Sequence, residues 1–153
     1  ESGRPVAVKV FHQANSVMFQ QEQQAFLRVG VHPHVLRLLE SYQGFGDKDV
    51  LIMEYCEGGD VYDLYARAGG NPIAEAYVAL LLRQLLLALE HLERVGVEHR
   101  DVKPENLLLC RGQEELKTSD APRAKLRAEV SQGHPISVPH VKLADFGWSI
   151  SMS

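Results

Sequence analysis

Asp101 and Asn106 stand five positions apart around Lys103 and Pro104, and Asp145 follows Leu143 and Ala144 at the end of a second short apolar run. Two oxygen ligands and a spare carboxylate, brought together by neighbouring strands, suit a magnesium ion whose octahedron is completed by phosphate oxygens. Lys9, inside the alternating run PVAVKVF, supplies the fixed positive charge that such phosphates require. An Asp or Asn in a turn is ordinarily a capping residue, and a strand lysine is ordinarily a solvated one. The combination, and not any single residue, carries the inference.

These side chains need elements to hold them. PVAVKVF reads as a strand over Pro5–Phe11, and Phe19, Phe26, Leu27 and Val29 mark a short amphipathic helix over Ser16–Val29, ended near Gly30 and Pro33. HVLRLLESYQ and DVLIMEYC read as two strands joined by the Gly/Asp turn GFGDKD, an antiparallel pair. A long helix is expected over Ala74–Val95, with Asn71 and Pro72 at its start. NLLL and Val141–Ala144 then read as two short strands flanking charged loops. Strands and helices are segregated along the chain, which argues for the α+β class over a parallel βαβ sheet.

With 153 residues, 45% of them hydrophobic, the chain has the size and apolar content of one domain with a real core. The net charge of −4 is modest and the signs are interspersed, so neither nucleic acid nor an anionic membrane is an expected partner. The most apolar stretch, AYVALLLRQLLLALEHL, is interrupted by Arg83 and Gln84 and reads as a core helix. Cys56 and Cys110 have no metal-ligand spacing and fit no disulfide scaffold, which points to a reducing, intracellular setting. Cys56 itself reads as a small apolar residue. His32 and His34 lack a third ligand nearby and read as part of a turn. Without an initiating Met or a signal-peptide core, the sequence is expected to begin in mid-protein.

HRDVKPEN at His99–Asn106, ADFG at Ala144–Gly147 and VAVK at Val6–Lys9 resemble, in order, the signature of eukaryotic protein kinases. That resemblance implies roles. Asp101 would accept or orient the proton of the substrate hydroxyl, Lys103 would neutralise the transferring phosphoryl group and favours serine/threonine specificity, and Asn106 and Asp145 would hold magnesium. Lys9 would hold the α- and β-phosphates of ATP. Its partner would be Glu22, the only acidic residue between Lys9 and Glu40, although the gap of 13 positions is shorter than kinases usually have. LIMEYCEGGD resembles the strand and hinge that receive adenine, with Met53 as gatekeeper, backbone groups of Glu54 and Cys56 as the hydrogen-bonding edge, and Asp60 near the ribose. Phe26, Leu38, His99 and Phe146 would stack as an apolar spine, His99 being structural and not a base. DFGWS, with Trp148 after the glycine as a packing residue, is similar to Aurora-type kinases. Protein substrates and a regulatory activator protein are then expected partners, and a cytoplasmic or nuclear, spindle-associated location follows for an Aurora-like protein.

The pattern also departs from the family. No GxGxxG run precedes Lys9, and no APE motif follows DFG, so the reading is a single incomplete kinase domain. Residues 1–56 would form part of the N-lobe with the hinge, and 57–153 the start of the helical C-lobe. The fragment is expected to be inactive alone. Between Cys110 and His140 the pattern dissolves into mixed charges and three prolines, which reads as a disordered insertion, 110–140, placing Asp145 44 positions beyond Asp101. A non-catalytic kinase-like module that binds partners or nucleotide is the alternative. Intact Lys9, Asp101, Asn106 and Asp145 favour catalysis over it.

Overall fold

Local signals set the first half. The computed structural model describes residues 3–12, 16–67, 73, 75–110 and 140–151. Strand β1 (Val6–Phe11) turns Val6, Val8 and Val10 to solvent and Ala7, Lys9 and Phe11 inward, so the lysine shares the covered face. Helix α1 (Val17–Val29) is started by Ser16, whose hydroxyl accepts from the Phe19 N–H, and is stopped at Gly30 with φ 66. Phe19, Glu22, Ala25, Phe26 and Val29 form its buried stripe at helical spacing.

Strands β2 (Leu38–Phe45) and β3 (Lys48–Glu54) form the expected antiparallel hairpin. Its two-residue loop puts Gly46 and Asp47 at φ 57 and 63, the left-handed conformation that a tight hairpin of native twist demands. The sheet order is β1-β3-β2, all antiparallel, which makes the apolar β3 central. Asp49, fully buried on β3, accepts from the backbone N–H of Ser16 at 3.0 Å and of Gly44 at 2.9 Å, tying the helix start to the hairpin.

One boundary moves. The sequence reads a strand from His34, yet β2 begins only at Leu38. Residues 34–36 bond instead to a strand more than a hundred positions away: Leu143 N–H to His34 O and Leu36 N–H to Leu143 O, both at 2.9 Å.

In the second half, α2 (Val61–Arg67) precedes α3 (Glu75–Arg94). Helix α3 buries Tyr77, Leu81, Ala88 and Leu92 along one stripe and exposes Leu82 and Leu86 on the other. Strand β4 (Val97–Glu98) pairs with β7 (Ile150–Ser151), and β5 (Leu107–Leu109) pairs with β6 (Val141–Leu143). The helix-start residues Asn71 and Pro72 lie outside the described residues, as does the insertion apart from its ends. Those ends meet, Cys110 N–H donating to His140 O at 2.9 Å. The α+β class is as read, and no described helix is long and apolar enough to cross a membrane.

His32 and His34 do form a turn, the His34 N–H donating to His32 Nδ1 at 3.2 Å. His32 stacks on His91 and His34 on His140. No group of three or more His, Cys, Asp or Glu able to hold a metal occurs among the described residues. Burial, reinforced by neighbouring imidazoles and cations, holds His32 and His34 below the usual histidine range. Burial does the same for His99, opposed by its bond to Ala144 O and by nearby Asp145 and Asp101. These groups bind protons less readily folded than unfolded, so their stabilisation is complete above about pH 6.5 and is lost as pH falls through the depressed folded-state values. The urea midpoint is expected to drop between pH 7 and 5; a flat profile over that range would contradict this.

Candidate active site

The loop after β4 is built around His99, which is 3% exposed. Its Nδ1 accepts from the Asp101 N–H at 3.3 Å, so Nε2 carries the proton and donates to Ala144 O at 3.0 Å. Arg100 takes φ 62 to turn the chain, and its Nε donates to Trp148 O at 2.7 Å. The sequence reading of Trp148 as a packing residue is corrected here: the residue is 64% exposed, and it is its backbone carbonyl that Arg100 contacts.

Asp101 sits at the centre of the next cluster. Its Oδ2 accepts from Lys103 Nζ at 2.7 Å and from Asn106 Nδ2 at 2.9 Å. The Lys103 bond, with Asn106 adding, holds the Asp101 carboxyl below its usual range, so it is an anion at neutral pH. Asn106 ends a turn of 3-10 helix opened by Pro104, whose fixed φ suits a first helical position. Because Asn106 Nδ2 faces both Asp101 O at 2.8 Å and Oδ2, its amide oxygen is the other, open end.

Lys9, Glu22 and Asp145 form a second cluster. Lys9 Nζ lies 2.9 and 2.7 Å from the two Glu22 carboxylate oxygens and 3.0 Å from Asp145 Oδ1. The Glu22 side chain is 1% exposed. Burial alone would lower the Lys9 ammonium, but the bonds and charges of Glu22 and then Asp145 outweigh it and hold its pKa above the usual value. Asp145 is a non-glycine residue at φ 65, an uncommon conformation that aims its carboxylate back at Lys9. Gly147 leaves room for this: a Cβ there would meet Asp145 Oδ1 at 3.2 Å.

Two links join the clusters. Ala144 N–H donates to Asn106 O at 2.9 Å, and His99 holds Ala144 O from the other side. Asp145 therefore leaves a residue clamped directly to Asn106. Asp145 Oδ2 and the Asn106 amide oxygen remain available as hard oxygen donors, the type magnesium takes, with phosphate and water filling the other positions. The residues present fit that ion. Rings of Phe26 and His99 each sit 5.0 Å from Phe146, edge to face, and Leu38 packs half-buried against the same core.

Met53, Glu54, Cys56 and Asp60 join neither cluster through a hydrogen bond or ion pair. Met53 is buried at the end of β3. The Glu54 carboxylate accepts from Arg37 N and Lys142 Nζ, both at 2.7 Å, and its N–H donates to Arg37 O. Asp60 Oδ1 accepts from the Asp63 N–H at 2.7 Å, capping α2. The sequence reading did not foresee Lys142 as the partner of Glu54, nor the approach of Cys56 to Cys110, since neither pair has a spacing signal.

Comparison with known proteins agrees with this geometry. The family profile described as Protein kinase domain matches residues 1–153. The serine/threonine-protein kinase cds1 of Schizosaccharomyces pombe (strain 972 / ATCC 24843) is 35% identical over 134 residues, 82% of this chain and 28% of that protein. An Aurora kinase of Encephalitozoon cuniculi (strain GB-M1) is 34% identical over 121 residues, 78% of this chain and 34% of its own. The serine/threonine protein kinase OSK3 of Oryza sativa subsp. indica is 32% identical over 114 residues, 71% of this chain and 22% of its own. The matches thus span between about a fifth and a third of these relatives, two of which are named as serine/threonine kinases and one as an Aurora kinase. Lys9 gripped by Glu22 and Asp145, a catalytic-type loop clamped beneath them, and the match over the whole sequence have one reading: the chain belongs to the protein kinase domain family.

Proposed function

We propose that the protein bearing this domain transfers the γ-phosphate of ATP to serine and threonine hydroxyls of protein substrates. The observation that carries the proposal is the pair of linked clusters, Lys9 with Glu22 and Asp145, and Asp101 with Lys103 and Asn106. Lys9, oriented by Glu22, holds the α- and β-phosphates. Asn106 and Asp145 would hold magnesium, which would supply charge neutralisation at the phosphates. Asp101, kept anionic, accepts or orients the hydroxyl proton, while Lys103 stands beside it to meet the charge of the moving phosphoryl group. Little covalent chemistry falls to the protein, so positioning these charges is most of the catalysis. Met53, the backbone of Glu54 and Cys56, and Asp60 serve the adenosine portion.

The DFGWS run and the similarity to an Aurora kinase support an Aurora-like type, with a regulatory activator protein and an intracellular, cytoplasmic or nuclear, spindle-associated setting. Residues 1–56 act as part of the N-lobe with the hinge, and 57–153 as the start of the C-lobe with its 110–140 insertion. Incubating the full-length protein with magnesium, γ-labelled ATP and mixed peptides should yield phosphoserine and phosphothreonine, not phosphotyrosine. Lys9→Met should cut transfer by about a hundredfold or more. Nucleotide binding without any transfer would favour the non-catalytic alternative.

A further inference from the structure

Cys56 and Cys110 are 54 positions apart, yet their Sγ atoms lie 3.5 Å from each other. The chain following β3 is laid along β5 by backbone bonds, Gly58 N–H to Leu109 O and Leu109 N–H to Gly59 O, both at 2.8 Å, with a bridge between Asp60 and Leu108. Those bonds fix the separation of the two sulfurs on a hydrogen-bonded frame. Both residues are half-buried thiols, and no disulfide joins them. A disulfide needs about 2.05 Å, so closure requires a movement of about 1.5 Å, within the reach of side-chain rotation.

We propose that Cys56 and Cys110 are an oxidisable dithiol, a modification site for hydroperoxides that ties the segment after β3 to the end of β5. The S–H···S contact with Cys110, with burial adding, pushes the Cys56 thiol up, so Cys56 stays protonated at neutral pH and Cys110 is assigned the first attack. The Cys110 thiolate attacks a peroxide oxygen, the O–O bond breaks, and the departing oxygen leaves as water after protonation. Cys110 is then a sulfenic acid. Cys56 sulfur attacks it, the S–O bond breaks, and a second water leaves with the Cys56 proton. Two thiols and one hydrogen peroxide give one disulfide and two waters. This departs from the sequence reading of Cys56 as a mere apolar filler. The consequence for nucleotide rests on the function proposed above: Cys56 backbone borders the adenine, so the cross-link restricts the segment that must adjust to receive it.

Full-length protein is titrated with hydrogen peroxide, alkylated without reduction, digested and mapped by mass spectrometry, with binding of a fluorescent non-hydrolysable ATP analogue followed in parallel. A linked Cys56–Cys110 peptide pair, reversed by dithiothreitol and absent from Cys110→Ser and Cys110→Ala, is the expected result. Analogue affinity should fall about fivefold or more on oxidation of the wild type and stay unchanged in both variants. Sulfinic acids or intermolecular dimers in place of the internal link would overturn the dithiol, and a link with unaltered affinity would overturn its regulatory effect. Reduced protein that binds no analogue would overturn the kinase reading instead, leaving the peptide map to decide the dithiol by itself.

Discussion

Replacing Asp101 with Asn should lower phosphoryl transfer by about 10²- to 10⁴-fold, or about 3 to 5 kcal/mol in the barrier, with nucleotide affinity nearly unchanged. The substitution keeps the size of the side chain and an oxygen able to accept from Asn106 Nδ2, which lies 2.9 Å from Asp101 Oδ2. What disappears is the anion, and with it the capacity to receive a proton from a hydroxyl. The partner Lys103 is substantially exposed, so losing that ion pair costs little stability. Single-turnover transfer to a peptide and a urea titration of the same preparation separate the two effects. Equal turnover in wild type and Asp101→Asn would remove Asp101 from the chemistry; a collapsed urea midpoint would recast it as structural.

Phe146→Ala is expected to destabilise the fold by about 3 to 5 kcal/mol, a large share of the roughly 5 to 15 kcal/mol that holds a domain together. Phe146 is fully buried, its ring edge to face with both Phe26 from α1 and His99 from the loop after β4. Its carbonyl accepts from the N–H of Ser149 at 3.0 Å and from the hydroxyl at 2.7 Å, so the surrounding turn resists collapse into the cavity. Phe146→Leu, which keeps most of the volume, should cost less than about 1.5 kcal/mol. Chemical denaturation of the full-length proteins distinguishes these values. A loss below about 1 kcal/mol for the alanine variant would mean that the three rings are not a packed unit. Because Asp145 immediately precedes Phe146, the same variant should also weaken magnesium-dependent nucleotide binding.

Much of this arrangement was legible because its causes are local. Ser16 and Gly30 bound α1 in the sequence as in the structure, and the stripe of Phe19, Phe26 and Val29 tells which side of that helix is covered. Glu22 falls on that stripe, so it reaches Lys9 despite the short gap of 13 positions. The HRDVKPEN loop likewise carries its own geometry, since Asp101, Lys103 and Asn106 contact one another within five positions.

The rest depended on distant partners. Strands β4 and β7 are two residues each and exist only because Val97 and Ser151 meet across more than fifty positions. His34, Val35 and Leu36 have the residue types of a strand entering β2, but β6 takes their hydrogen bonds first. The same holds for Lys142 with Glu54 and for the two cysteines, whose approach follows from the pairing of Gly58 and Gly59 with Leu109. Residue types and short spacings determined which groups are candidates for chemistry and which helix face is buried, because hydrogen bonds and periodicity act over a few residues. Only the tertiary structure decided how the two charged clusters are joined and which sulfurs touch, since the first requires β5 to pair with β6 and the second requires Gly58 and Gly59 to lie along Leu109.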